Sequence, residues 1–101
     1  VVPLLSVGGL GVITTVGNII PKDVHTMVMK YLSGDTKEAA RMQLAMKHLI
    51  DAMFIEVNPI PVKAALNMMG KIEMEYRLPL CPPDEKSMEI IRKELVDYGL
   101  I

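Results

Sequence analysis

Two prolines near the middle of the chain constrain its fold more than any other feature. Pro59 and Pro61 each fix φ and remove a backbone hydrogen-bond donor. The residues before them, Asn58 and Ile60, are pushed toward extended geometry. We therefore expect a rigid extended joint, with one helix ending at about Ile55 and another beginning at Pro61, which suits the first helical position.

Apolar residues recur at helical spacing on both sides of this joint. Glycines or capping residues mark most of the predicted ends, and Glu38 completes a capping-box-like signal with Asp35. The predicted helices are one from near Lys22 to Gly34, one over residues 36–55 after Asp35, one over about 62–69 before Gly70, and one from near Asp84 to Gly99. Nine methionines and few aromatics predict an aliphatic, methionine-filled core.

Residues 12–16, Val-Ile-Thr-Thr-Val, are β-branched throughout and show no alternation. This pattern is typical of a strand buried on both faces, as in parallel sheets. A single parallel strand has no partner in so short a chain, so we expect its partners to be missing or to come from another molecule. The pattern leaves open whether residues 8–16 keep strand structure alone. Residues 1–7 fit the end of a buried helix or an extended lead-in.

Charge and composition argue against two classes of partner. The net charge is -1 without a basic patch, which disfavours nucleic-acid binding. The first 21 residues are uncharged, but glycines, Pro3 and Asn18 interrupt them and no basic flank precedes them, so a buried segment of a larger soluble protein is favoured over a membrane span or signal. The single cysteine, Cys81, permits no internal disulfide and indicates a reducing compartment, the cytoplasm.

Residues that could carry chemistry are scattered. The glycine run at residues 8–11 lacks the third glycine of a dinucleotide loop, so a tight turn is favoured. His25 and His48 lie on separate predicted helices without a further ligand, which disfavours a metal site. Cys81 lies between Leu80 and two prolines, where inert packing is favoured over reactivity.

Polar residues beside the proline joint need partners, since the stretch around them is apolar. We expect Glu56 and Asn58 to be buried and Glu56 to pair with Arg77, as a structural contact. Lys63 would be a nucleophilic amine only if desolvated, and a solvated lysine is favoured. The residues thus predict no catalytic, cofactor-binding or metal-binding site in the chain.

Several runs are specific enough to compare with a known family. Residues 8–15, with Asn18 and Pro21, resemble the eighth-strand region of the dihydrodipicolinate synthase and N-acetylneuraminate lyase family. Residues 54–63, Phe-Ile-Glu-Val-Asn-Pro-Ile-Pro-Val-Lys, and residues 77–80, Arg-Leu-Pro-Leu, are similar to its C-terminal helical region. Residues 65–66, Gly70 and the ending at 98–101 extend the resemblance over the whole chain. Thr14-Thr15 departs from it, since a Ser-Val pair is commoner there.

The resemblance implies a fold for a longer parent protein. That parent would be a TIM (β/α)8 barrel with a C-terminal helical extension, and commonly a homotetramer. Residues 1–21 would hold the last strand, at about 12–16, and residues 22–101 the final barrel helix and the extension. The chain by itself is predicted to be mainly α, with about four helices after one short strand, and to bury its apolar helix faces by self-association.

The resemblance also implies an activity for the parent. It would be a lyase of lysine biosynthesis, in which a sixth-strand lysine forms a Schiff base with pyruvate before condensation with aspartate semialdehyde. A tyrosine relay would assist that step. None of those residues maps onto a position here, and one strand cannot assemble a barrel site alone.

Three functional hypotheses remain open. The chain is an enzyme-derived piece that is inactive alone, a free-standing helical association module without chemistry, or a half that another chain completes. The start at Val1 without a methionine, the unpaired strand and the family runs favour the first.

Overall fold

Helices joined by turns account for most of the structure, a computed structural model that describes residues 1–101. The elements are α1 (Val2–Ser6), a 3-10 turn (Val16–Asn18), α2 (Pro21–Leu32), α3 (Thr36–Ala52), α4 (Ile60–Met68) and α5 (Glu85–Tyr98). The prediction of a mainly helical chain is confirmed. The residues form two compact units, 1–47 and 48–101, with the boundary inside α3.

The predicted strand at residues 12–16 does not form. Residues 9–14 have no regular secondary structure, and Val16 begins the 3-10 turn. A strand is defined by hydrogen bonds to a neighbouring strand, and the chain contains no other strand that could supply them. The β-branched pattern of residues 12–16 therefore indicates a preference for strand structure, but the chain has no second strand with which this segment could pair.

Helix α2 organises residues 1–47. Pro21 occupies its first turn, where the missing N–H is not needed, and Val24 and Met27 are buried. Gly34, with φ +99°, follows the helix as predicted. Both α1 and the 3-10 turn pack against α2. The buried apolar residues of this unit are Leu5, Val16, Ile19, Ile20, Val24, Met27, Ala39 and Met46.

Helix α3 begins as its sequence predicts, but with half of a capping box. The Glu38 N–H donates to the Asp35 carboxylate at 3.3 Å. The Glu38 side chain pairs with Arg41 instead of reaching back to Asp35. The Asp35 N–H, which the Glu38 side chain would accept from in a full capping box, already donates to the Lys30 carbonyl at 2.8 Å.

The joint between α3 and α4 is a series of turns and bends, not an extended segment. Helix α3 ends at Ala52, three residues before the predicted Ile55. Helix α4 begins at Ile60, which was expected to be extended, and Pro61 is its second residue. The Ile60 N–H donates to the Val57 carbonyl at 2.9 Å, so a turn leads directly into the helix. Pro61 removes no hydrogen bond from α4, because the first N–H groups of a helix have no partner within it.

In residues 48–101, α4 packs against α5. Asp84 caps α5 and Gly99, with φ +92°, ends it, as the sequence predicted. Gly70 follows α4 with φ +77°. The buried apolar residues are Leu49, Ala52, Met53, Ile60, Val62, Ala64, Ala65, Ile91 and Leu95. None of the helices in either unit combines the length and apolarity that a membrane crossing needs.

Candidate functional site

The residues with the most reactive side chains do not converge. His25 and His48 are both exposed, and no three His, Cys, Asp or Glu side chains lie close enough together to hold a metal ion. Cys81 is a free, exposed thiol, so the expectation that it packs inside is wrong. Because Pro82 and Pro83 follow it directly, no helix forms there to bury its side chain.

Lys63 lies at the edge of a recess in residues 48–101. Its ammonium lies over the Tyr76 ring, 5.4 Å from the ring centre, which is a cation–π contact. Lys63 is therefore half-buried, and the expectation of a fully solvated lysine is wrong. Burial, and to a lesser extent the Glu56 carboxylate, raise the pKa of the Tyr76 phenol.

The recess has a volume of about 420 Å³ and is lined by Lys63, Ile72, Glu73, Glu75 and Arg77. Except for Lys63, these residues are exposed. No nucleophile in it contacts a positioned base, so the recess has the organisation of a charged surface, not of an acyl-transfer or aldol site.

Glu56 caps a helix instead of pairing with Arg77. Its carboxylate accepts a hydrogen bond of 3.1 Å from the Asp84 backbone N–H. The Asp84 carboxylate accepts from the Ser87 N–H at 2.8 Å. In a capping box the helix's own third residue would fill the role of Glu56, but that residue is Ser87. The predicted ion pair is therefore wrong, and the predicted structural role of Glu56 is supported.

Asn58 differs from Glu56 in its surroundings. It is exposed, whereas Glu56 is half-buried, so the expectation that both polar groups are buried is wrong for Asn58. The turns between α3 and α4 bring Asn58 to the surface, so its amide needs no partner from the protein.

The most open surface lies along residues 10–14, which we call the open segment. Val12 and Thr14 line a groove of about 430 Å³, together with Val24 and Val28 of α2. Ile13, between them, is fully exposed at 104%, and Leu10 is 86% exposed. Over residues 12–14 the side chains thus alternate between the groove beside α2 and solvent, as in a strand, whereas Leu10 is exposed although it has the parity of Val12 and Thr14.

The backbone of the open segment is also unpaired. None of its N–H or C=O groups forms a hydrogen bond within the chain. Five consecutive residues with free backbone donors and acceptors, three of them β-branched, are a template for pairing with another strand. The open segment is therefore the candidate functional surface of residues 1–47.

Comparison with known proteins finds relatives that match the chain over nearly its whole length. The Dihydrodipicolinate synthetase family matches residues 1–97. The chain belongs to this family. A 4-hydroxy-tetrahydrodipicolinate synthase from Acetivibrio thermocellus is 52% identical over 101 residues, which cover all of this chain and 35% of that protein. A 4-hydroxy-tetrahydrodipicolinate synthase from Clostridium tetani is 50% identical over 101 residues, which cover all of this chain and 34% of that protein.

Solved structures of dihydrodipicolinate synthases match equally well. The enzyme from Thermotoga maritima superposes with a TM-score of 0.97 at 45% identity, over 99% of this chain and 34% of that one. The chain thus spans about a third of the length of the relatives it matches.

Proposed function

We propose that this chain is the C-terminal part of a 4-hydroxy-tetrahydrodipicolinate synthase. Residues 1–21 form the region of the last barrel strand, at about 12–16, and residues 22–101 form the final barrel helix and a helical extension. The observation that carries this is 52% identity over the whole chain to a relative of which the chain covers 35%. The open segment, with its free backbone groups, is where neighbouring barrel strands would pair.

The chain contributes no catalytic residue to the reaction. The complete enzyme condenses pyruvate with aspartate semialdehyde through a Schiff base, in the cytoplasm and without a metal or other cofactor. Lys63, the best-placed lysine here, lies against Tyr76 in a recess without a positioned base. The chain would instead close the barrel and carry part of the surface through which a homotetramer assembles.

Complementation tests the proposal. The chain is co-expressed with the part of the Acetivibrio thermocellus relative that lies outside the match, and condensation of pyruvate with aspartate semialdehyde is measured. We expect activity only when both chains are present. Ile13→Lys should reduce it, because position 13 lies on the face away from α2 and a charge there would enter the apolar interior of the barrel, whereas Ile13→Thr keeps a β-branched side chain and should preserve it. Equal activity of both variants would contradict docking through the open segment.

Borohydride reduction in the presence of pyruvate separates the two chains by mass. We expect the 11.2 kDa chain to stay unmodified and the adduct to appear on the complementing chain. A pyruvyl adduct on any lysine of this chain would show that it supplies the nucleophile, contrary to the proposal.

A second candidate function is self-association of a helical module without chemistry. Exposed apolar side chains favour it, among them Met29 and Leu32 on α2 and Leu44 on α3. Such faces tend to be buried against a partner. Sedimentation velocity tests this candidate, and a monomer at every concentration would exclude it.

A further inference from the structure

Two adjacent threonines lie where the open segment ends, and their hydroxyls differ in their contacts. The Thr14 hydroxyl accepts a hydrogen bond of 3.1 Å from the Gly17 N–H, so the turn that follows already occupies it. The Thr15 carbonyl accepts from the N–H and the side-chain amide of Asn18, at 3.1 and 2.9 Å. The Thr15 hydroxyl forms no hydrogen bond within the chain. Since no sealed side-chain polar atom lacks a partner, this hydroxyl is open to the surface of a half-buried residue.

Thr15 faces the same side as Ile13, away from α2. The groove beside α2 is lined by Val12 and Thr14, and neither Ile13 nor Thr15 contributes to it. This is the alternation of a strand, in which successive side chains point to opposite faces. In a TIM barrel the helices cover the outside of the sheet, so the side chains that face away from them point into the barrel. In the complete enzyme, Ile13 and Thr15 would therefore point inward.

The position of Thr15 along the chain places it at the mouth of that barrel. Its backbone is already helical, with φ −72° and ψ −46°, and Val16 begins the 3-10 turn. Thr15 is thus the last inward-facing residue before the chain turns toward α2. The turn is tightly built, because a side chain at Gly17 would collide with the Thr14 methyl group. Active sites of TIM barrels lie at this carboxyl end of the strands.

We infer that the Thr15 hydroxyl binds a polar group of aspartate semialdehyde, the second substrate, and helps to select it; this rests on the proposed function. Pyruvate reacts first and is held covalently on another strand, so the second substrate enters through the mouth where Thr15 lies. A hydroxyl can donate to the carboxylate of that substrate or accept from its ammonium group. Hydrogen bonds to charged groups are the stronger ones, and no residue from 1 to 21 is charged and could compete.

The barrel strands outside this chain would not supply the partner through their backbones. Neighbouring strands hydrogen-bond sideways, in the plane of the sheet, whereas inward-facing side chains stand at right angles to that plane. The hydroxyl therefore meets what occupies the barrel mouth. Thr15 takes no part in making or breaking bonds in the reaction; its role is to bind and orient the substrate.

Steady-state kinetics of the complemented enzyme test this contact, with each substrate varied separately. Thr15→Val removes the hydroxyl and keeps the shape, and should lower kcat/KM for aspartate semialdehyde about tenfold or more. Because the Schiff base forms before the second substrate binds, kcat/KM for pyruvate should change by less than about twofold. Thr15→Ser keeps the hydroxyl and should retain kcat/KM for aspartate semialdehyde within about threefold.

Two controls separate binding from structure. Thr26→Val makes the same chemical change on α2, where the exposed hydroxyl donates to the Lys22 carbonyl at 2.8 Å. This variant should leave kcat/KM for both substrates within about twofold of the unmodified pair. In the isolated chain, Thr15→Val should not lower the melting temperature followed by circular dichroism, because the hydroxyl has no partner there to lose.

The outcomes distinguish this inference from the function on which it rests. An unmodified pair without activity would contradict the proposed function, and the inference with it. An active pair with equal kcat/KM for aspartate semialdehyde in Thr15 and Thr15→Val would overturn the inference alone. So would a loss that Thr15→Ser does not rescue, a loss shared equally by both substrates, or a lower melting temperature of the isolated Thr15→Val chain, since each indicates a structural role.

Discussion

Leu95 gives the most direct measure of how much the α4–α5 core stabilises this chain. Its side chain is fully buried, at 0% exposure. Leu95→Ala removes three carbon atoms, which loses part of the about 1.5–3 kcal/mol gained by burying a leucine. The unfilled cavity adds to this loss, so we expect unfolding to become easier by about 3 kcal/mol, within the range of about 2–5 kcal/mol for such truncations.

The backbone contacts at this position should survive the substitution. The Leu95 carbonyl accepts from the N–H groups of Gly99 and Leu100, at 3.1 and 2.8 Å, and alanine keeps that carbonyl. The measured effect therefore reports packing. Urea titration followed by circular dichroism at 222 nm gives the free energy of unfolding, and a loss of this size is a large fraction of the about 5–15 kcal/mol typical of small proteins.

Val96 supplies the matched control on the same helix. Its side chain is 53% exposed, so Val96→Ala should change the free energy of unfolding by about 0.5 kcal/mol or less. If Leu95→Ala lowers the free energy of unfolding no more than Val96→Ala does, then Leu95 is not buried between α4 and α5, and the description of the core of residues 48–101 is wrong.

Three further outcomes test local features. Asp84→Ala should lower the melting temperature by removing the acceptor for the Ser87 N–H. That bond and the Ser87 hydroxyl lower the pKa of Asp84, so its stabilising effect should be complete above about pH 4 and should disappear as the pH falls below it, which melting curves against pH would show. Gly99→Ala should cost about 1–2 kcal/mol in urea titrations because φ is +92°. Gly11→Ala, which meets only open space, should be near neutral there. In dilute solution the amides of residues 10–14 should exchange much faster than those of α5, as hydrogen exchange would show.

Signals that act within a few residues predicted several of the helix ends. Gly34, Gly70 and Gly99 all follow helices with positive φ, and Asp84 caps α5 through the Ser87 N–H. Each of these features depends on neighbours in sequence, so a pattern in the sequence contains the necessary information.

Contacts between distant residues were not predictable in the same way. Glu56 accepts from Asp84, 28 positions later, and Lys63 lies over Tyr76. The sequence indicated that Glu56 needed a partner but not which donor the fold would bring to it. The opposite charge of Arg77 suggested an ion pair with Glu56. In the structure the Glu56 carboxylate instead accepts a hydrogen bond from the Asp84 N–H, which has no partner within α5.

The open segment shows why helices and strands differ in what a short chain can complete. A helix satisfies its backbone within its own segment, so α2 to α5 form wherever their apolar faces find a core. A strand needs donors and acceptors from another segment, and residues 12–14 keep the strand-like alternation of side chains without any such partner.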